Sequence, residues 1–283
     1  MNRPLTSTWA DHAAGALQAR FGRIRPWPWN RGLWVTARER YGRRPLPPQA
    51  TVDVVDLAGR PRRVAHHAGT GRPLVILPGA CARLDEGLFS RLFTLAGATG
   101  RPVWMLEDRL AAPTLALTHG ETPSMATMGR ELAAFLQRLD EPPDILALSA
   151  GAAVARSSGL AGAARLVAWS PVLDPGAVLG RLRRRPLLWR YYRHVHRRAF
   201  RQAGLPAPDP AETWRQLAAP TDDAAPTCPT LLVRAVDDPV VPPLLAPSPT
   251  ATVARLPLGG HLGFGVVAGT GVYLGPLAMD GAA

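Results

Sequence analysis

Three residues of this chain could together perform nucleophilic chemistry: Ser149, Asp238 and His261. Serine is a weak nucleophile near neutral pH and needs an imidazole to accept its proton. The imidazole needs a carboxylate that fixes its tautomer and stabilises the imidazolium. Ser149 lies in Asp144-Ile-Leu-Ala-Leu-Ser149-Ala-Gly151-Ala-Ala, where an apolar run meets a serine among small residues. That pattern matches a nucleophile elbow, in which strand, sharp turn and helix pack too closely for large side chains. Of the motif G-x-S-x-G the chain keeps Gly151 and carries Ala147 at the first position. In a chain rich in alanine and glycine, such a match gains its weight from the residues downstream of it.

A carboxylate and then a histidine come downstream of Ser149, the order that accompanies this elbow. The apolar run Pro229–Arg234 ends in Ala-Val-Asp237-Asp238-Pro, and Thr252–Leu256 is succeeded by Pro-Leu-Gly-Gly260-His261-Leu-Gly-Phe264. Asp238 is favoured as the acid because it directly precedes Pro-Val-Val-Pro; Asp237 is the alternative. The glycines beside His261 let its backbone approach a crowded site. A tetrahedral intermediate also needs backbone N–H donors. Ala150, after the nucleophile, and Ala80, on the loop after Leu74–Leu77, are the candidates for this oxyanion hole. Plainer readings compete: Ser149 as a small turn residue, Asp238 as a turn former, His261 as a surface histidine. Cys81 reads as a packing residue rather than a nucleophile, and Asp108 and Asp174 as hinge or capping residues rather than acids.

Alternating elements must position these groups. Residues 51–57 and 62–67 read as strands around Ala58-Gly59-Arg60-Pro61. Residues 73–77, 102–106, 144–148, 165–169, 229–234 and 252–256 read as further strands. Leu88, Leu92, Leu95 and Ala96 recur at helical spacing, as do Met125, Met128, Leu132, Phe135 and Leu139. Strands of continuous apolar character alternating with helices predict a mostly parallel sheet covered on both faces. Ligands bind such sheets at the carboxyl ends of the strands, where Gly79, Ser149 and Asp238 fall.

Taken together, these pieces resemble the YheT-like esterase group of the α/β-hydrolase superfamily. The matching segments are Leu-Pro78-Gly79-Ala-Cys81, Leu-Thr-His119-Gly120-Glu121-Thr122, Ala-Leu-Ser149-Ala-Gly151, Trp169-Ser-Pro171-Val-Leu-Asp174, Val-Asp237-Asp238-Pro-Val-Val-Pro242 and Gly260-His261-Leu-Gly-Phe264. They span roughly residues 70–265, and the last two are the most specific. Pro78-Gly79 stands where the group has His-Gly. The resemblance implies an α/β-hydrolase fold: a mostly parallel twisted sheet of about eight strands, helices on both faces and a small helical cap. It implies hydrolysis of a carboxylic ester through an acyl-enzyme on Ser149, with no metal or organic cofactor. An acyltransferase or thioesterase using the same triad, and a non-catalytic binding protein on this fold, are the alternatives.

The expected organisation is an N-terminal arm over 1–50 and one domain over 51–283, with a cap insert at about 174–222. The glycine-rich stretch after Phe264 predicts a poorly ordered end. At 283 residues and 47% hydrophobic content, the chain can bury a large core, and 19% charged residues argue against disorder. The net charge of +12 comes entirely from arginine, which reflects coding composition as much as function, so no nucleic-acid partner is expected. Two cysteines make no disulfide framework or metal motif. No signal peptide or long apolar run is evident, which predicts a cytoplasmic protein. Arg181–Arg201 holds nine arginines and no acidic residue. It reads first as a solvated cap helix and second as a contact for anionic lipid head groups or acidic partners. Trp27, Trp29 and Trp34 read first as packing of the arm against the body and second as a contact with a membrane interface.

Overall fold

The computed structural model describes residues 7–25, 32, 44–80, 82–109, 124–202, 206–207, 209–212, 227–242 and 251–279. Cys81, the three arm tryptophans, the His119 segment and residues 213–222 of the expected cap lie outside them.

Eight strands form one sheet among the described residues: β1 (Thr51–Leu57), β2 (Arg60–His67), β3 (Leu74–Leu77), β4 (Val103–Leu106), β5 (Asp144–Leu148), β6 (Arg165–Trp169), β7 (Thr230–Ala235) and β8 (Ala251–Leu256). The spatial order is β1-β2-β4-β3-β5-β6-β7-β8. β1 and β2 form an antiparallel hairpin and β2 pairs antiparallel with β4, while every later pairing is parallel. The expected sheet is therefore present. Every residue of β3, β5, β6 and β7 is buried, as the apolar runs at their centres require of strands covered on both faces.

Helices cover the two faces. α1 (Ser7–Gly22), α2 (Gly87–Gly97) and the C-terminal helices bury Phe21, Leu88, Phe93 and Tyr273 against one face. On the other, α3 (Met125–Leu136) and α4 (Gly151–Ser157) bury Met128, Leu132, Phe135 and Val154. α3 starts at Ser124, whose hydroxyl accepts from the Thr127 N–H at 3.1 Å, a side-chain N-cap. The two helices approach backbone to backbone: a Cβ on Gly129 would lie 2.5 Å from the Ser157 carbonyl carbon.

α5 (Pro175–Arg183) and α6 (Pro186–Gln202) come after β6. α5 is capped by Asp174, which accepts from the Ala177 N–H at 2.9 Å, with Pro175 opening the helix. Val178, Leu179, Leu182 and Leu188 form a separate small core with Val172, Ala211 and Val241.

The chain after Phe264 corrects one expectation. It folds into α7 (Phe264–Ala268), a 3₁₀ turn (Thr270–Tyr273) and α8 (Gly275–Ala278). Phe264 and Tyr273 are wholly buried, and Phe264 packs edge-on to Trp169 at 4.8 Å. Glycine supplied the short turns here, while aromatic burial supplied the order.

Candidate active site

Register brings the strand ends to one edge. Leu77 pairs with Ala147, Leu148 with Trp169, Trp169 with Val233 and Ala235 with Leu256. The loops that leave these strands therefore meet over the middle of the sheet, and they carry Gly79, Ser149, Asp238 and His261.

Ser149 occupies the turn between β5 and α4 with φ +53°, a left-handed conformation that costs a non-glycine residue energy. The turn is over-determined by its neighbours. The Ser149 N–H donates to the Trp169 carbonyl at 2.9 Å, and the Ser149 carbonyl accepts from Ala152 and Val172, each at 3.1 Å. Gly151 is sterically required, because a Cβ there would lie 2.4 Å from the Leu77 carbonyl oxygen. Ala147, in place of the motif's first glycine, is fully buried in the core, so its methyl is accommodated.

His261 sits on the loop after β8. A Cβ at Gly259 would strike the Phe264 ring at 2.3 Å, and Gly260 has φ +52°. The Tyr273 hydroxyl donates to the Leu262 carbonyl at 2.6 Å. So held, His261 Nε2 is 2.8 Å from Ser149 Oγ, and Nδ1 is 3.1 Å from Asp238 Oδ2. The first contact fits a hydroxyl donating to a neutral imidazole, and the second an N–H donating to a carboxylate.

The two adjacent aspartates divide their work. Asp238 Oδ1 accepts from the Val240 and Val241 N–H groups at 2.7 and 2.9 Å, leaving Oδ2 for His261. Asp237, the alternative acid, faces away from the imidazole. Its Oδ1 accepts from the Gly260 N–H at 2.9 Å and its Oδ2 from the Gly32 N–H at 2.6 Å. Asp237 thus ties the histidine loop to the acid loop and to a residue far upstream.

Two arginines not singled out in the sequence also hold the acid loop. Arg181 on α5 donates to the Asp238 carbonyl at 2.8 Å and to the Pro239 carbonyl at 3.2 Å, and Arg234 donates to the Pro242 carbonyl. Burial is the main cause that lowers both guanidinium pKa values; Arg185 lowers that of Arg181 further, against the pull of Asp238. Nothing in the local sequence distinguishes Arg181 from its eight basic neighbours.

Opposite the serine, a Cβ on Gly79 would lie 3.2 Å from Ser149 Cβ, so the loop after β3 closes directly onto Ser149. Ala80 is half-buried against the core that contains Ala150. Asp108 is buried at the end of β4 and Asp174 caps α5. No cluster of three metal-ligating side chains occurs among the described residues.

Solved structures share this fold at low sequence identity. Alpha/beta hydrolase domain-containing protein 10 from mouse is 12% identical with a TM-score of 0.51, covering 82% of this chain and 97% of its own. A membrane phospholipase A described as a bacterial virulence factor is 15% identical with a TM-score of 0.56, over 81% of this chain and 86% of its own. The alpha/beta hydrolase GrgF from a Penicillium species is 14% identical with a TM-score of 0.52, over 77% and 92%. No protein-family model and no curated protein matches the chain. The chain has the α/β-hydrolase fold.

Proposed function

We propose that this protein is a serine hydrolase that cleaves carboxylic esters, short- to medium-chain or lipid-like, in the manner of the YheT-like esterases. The observation that carries this reading is the continuous contact from Ser149 Oγ through His261 to Asp238 on strand-end loops. Ser149 Oγ attacks the ester carbonyl carbon while its proton passes to His261 Nε2. The resulting imidazolium is stabilised by Asp238 Oδ2. The oxyanion is received by the N–H groups of Ala150 and Ala80. The tetrahedral species collapses as His261 returns the proton to the departing alkoxide, leaving an acyl group on Ser149. Water, deprotonated by His261, then releases the acid and restores the serine.

In this cycle side chains and backbone groups of the protein move the protons and stabilise the charge, and water is the second nucleophile. A fluorophosphonate probe tests it. Labelling confined to Ser149, lost in Ser149→Ala, is the expected result, and a folded protein without an adduct on Ser149 would overturn the reading. A series of p-nitrophenyl esters then ranks acyl length, with thioesters and acceptor alcohols separating hydrolysis from thioesterase and acyltransferase chemistry.

A further inference from the structure

α6 turns unlike faces inward and outward. Leu188, His196 and Phe200 are buried, and Leu188 joins the small core beside Val241 of the acid loop. Arg190, His194, Arg197, Arg198 and Arg201 are exposed on the opposite side. Among them, Leu187 is 75% exposed and Tyr191 37%, four residues apart and therefore stacked on one face. A shallow groove of about 670 Å³ runs beside this face, lined by Arg183, Trp189, Arg193 and Arg197 among others. The Arg183 guanidinium lies 5.9 Å from the Trp189 ring centroid.

From Arg183 to Arg201 the chain places eight cations with no acidic residue between them, Arg181 being held at the acid loop instead. Such a surface repels itself and is complementary to a dense array of anions. A single exposed leucine is common on a solvated face, but here Leu187 stands beside Tyr191 amid arginines. A nucleic-acid backbone would engage arginine and an aromatic ring but leaves an aliphatic side chain in water. Arginines interspersed with Leu187, Tyr191 and Trp189 match a boundary where phosphate lies directly above hydrocarbon.

We propose that the outward face of α5 and α6 docks the protein on an anionic phospholipid surface. The arginines engage headgroup phosphates, and Leu187 and Tyr191 enter the acyl boundary. This docking stands independently of ester hydrolysis, so the test reads binding alone, on the full chain and on its Ser149→Ala variant.

Vesicles of phosphatidylcholine, pure or mixed with phosphatidylglycerol, are sedimented with the protein at low and high salt. Binding to the mixed vesicles only, weakening with salt, is expected. Arg190→Gln, Arg197→Gln and Arg201→Gln should each lower the partition coefficient about fivefold, and together on the order of a hundredfold. Leu187→Ser should lower it roughly tenfold while leaving the circular dichroism unchanged. Equal binding to both vesicle types, or none to the anionic ones by natively folded protein, overturns the proposal. So does an unchanged Leu187→Ser variant alongside arginine variants that lose a single-stranded RNA oligonucleotide as readily as vesicles, since that marks a face for any polyanion.

Discussion

Asp237 and Asp238 are neighbours in sequence whose carboxylates point to different tasks. Asp238→Asn would present an amide to His261 Nδ1 and favour the wrong tautomer, so kcat should fall on the order of 10⁴-fold with KM little changed. Asp237→Asn leaves the His261 contact intact but replaces one acceptor of the Gly32 and Gly260 amides by a donor. Steady-state kinetics should then show a loss of about tenfold in kcat, and a loss as deep as that of Asp238→Asn would reverse the assignment. Gly151→Ala drives a methyl into the Leu77 carbonyl oxygen, a backbone atom that cannot swing aside. Denaturant titration should register a cost of about 1–3 kcal/mol together with lost activity. At this scale the sequence made Ser149, Asp238 and His261 visible because each lies just past an apolar run, and the structure brings their side chains into contact. The division between the two aspartates was hidden, because a side chain's direction depends on partners as distant as Gly32.

Single elements were legible in proportion to how strictly burial dictates composition. β3, β5, β6 and β7 read as strands because their central positions, covered on both faces, exclude polar side chains. α7 and α8 escaped, since their order comes from Phe264, Trp169 and Tyr273 meeting across the sheet face rather than from local periodicity. Phe264→Ala should accordingly cost about 3–5 kcal/mol in thermal or chemical unfolding, far more than a disordered tail would allow. α6 carries a different liability. His196 is buried, and burial lowers its pKa to about 4, with Asp209 opposing the shift and Arg197 adding to it. A base whose folded pKa lies below its unfolded value stabilises the fold fully above about pH 6.5 and loses that contribution as pH falls toward 4. Unfolding midpoints measured across this window should decline, and the decline should flatten in His196→Leu.

Across the whole molecule, the least legible feature was where the chain's beginning lies. α1 packs on β7, β8 and α8. Trp9 donates to the Pro276 carbonyl at 2.9 Å, and Thr252 donates to Asp11 at 2.8 Å. No window of sequence links residue 9 to residue 276. The same closure has a consequence for the order in which the protein is made. α1 leaves the ribosome before any other described element, yet the strands that cover its apolar face come last. Ser149 likewise waits for His261, 112 residues further on. A nascent chain short of residue 251 is thus both sticky and chemically silent, and residues 251–279 abolish the first property and end the second in one folding event. Chains stalled before β8 should be recovered with chaperones or in aggregates and take no fluorophosphonate, whereas chains released with residues 251–279 in place should lose chaperone binding and gain the label together.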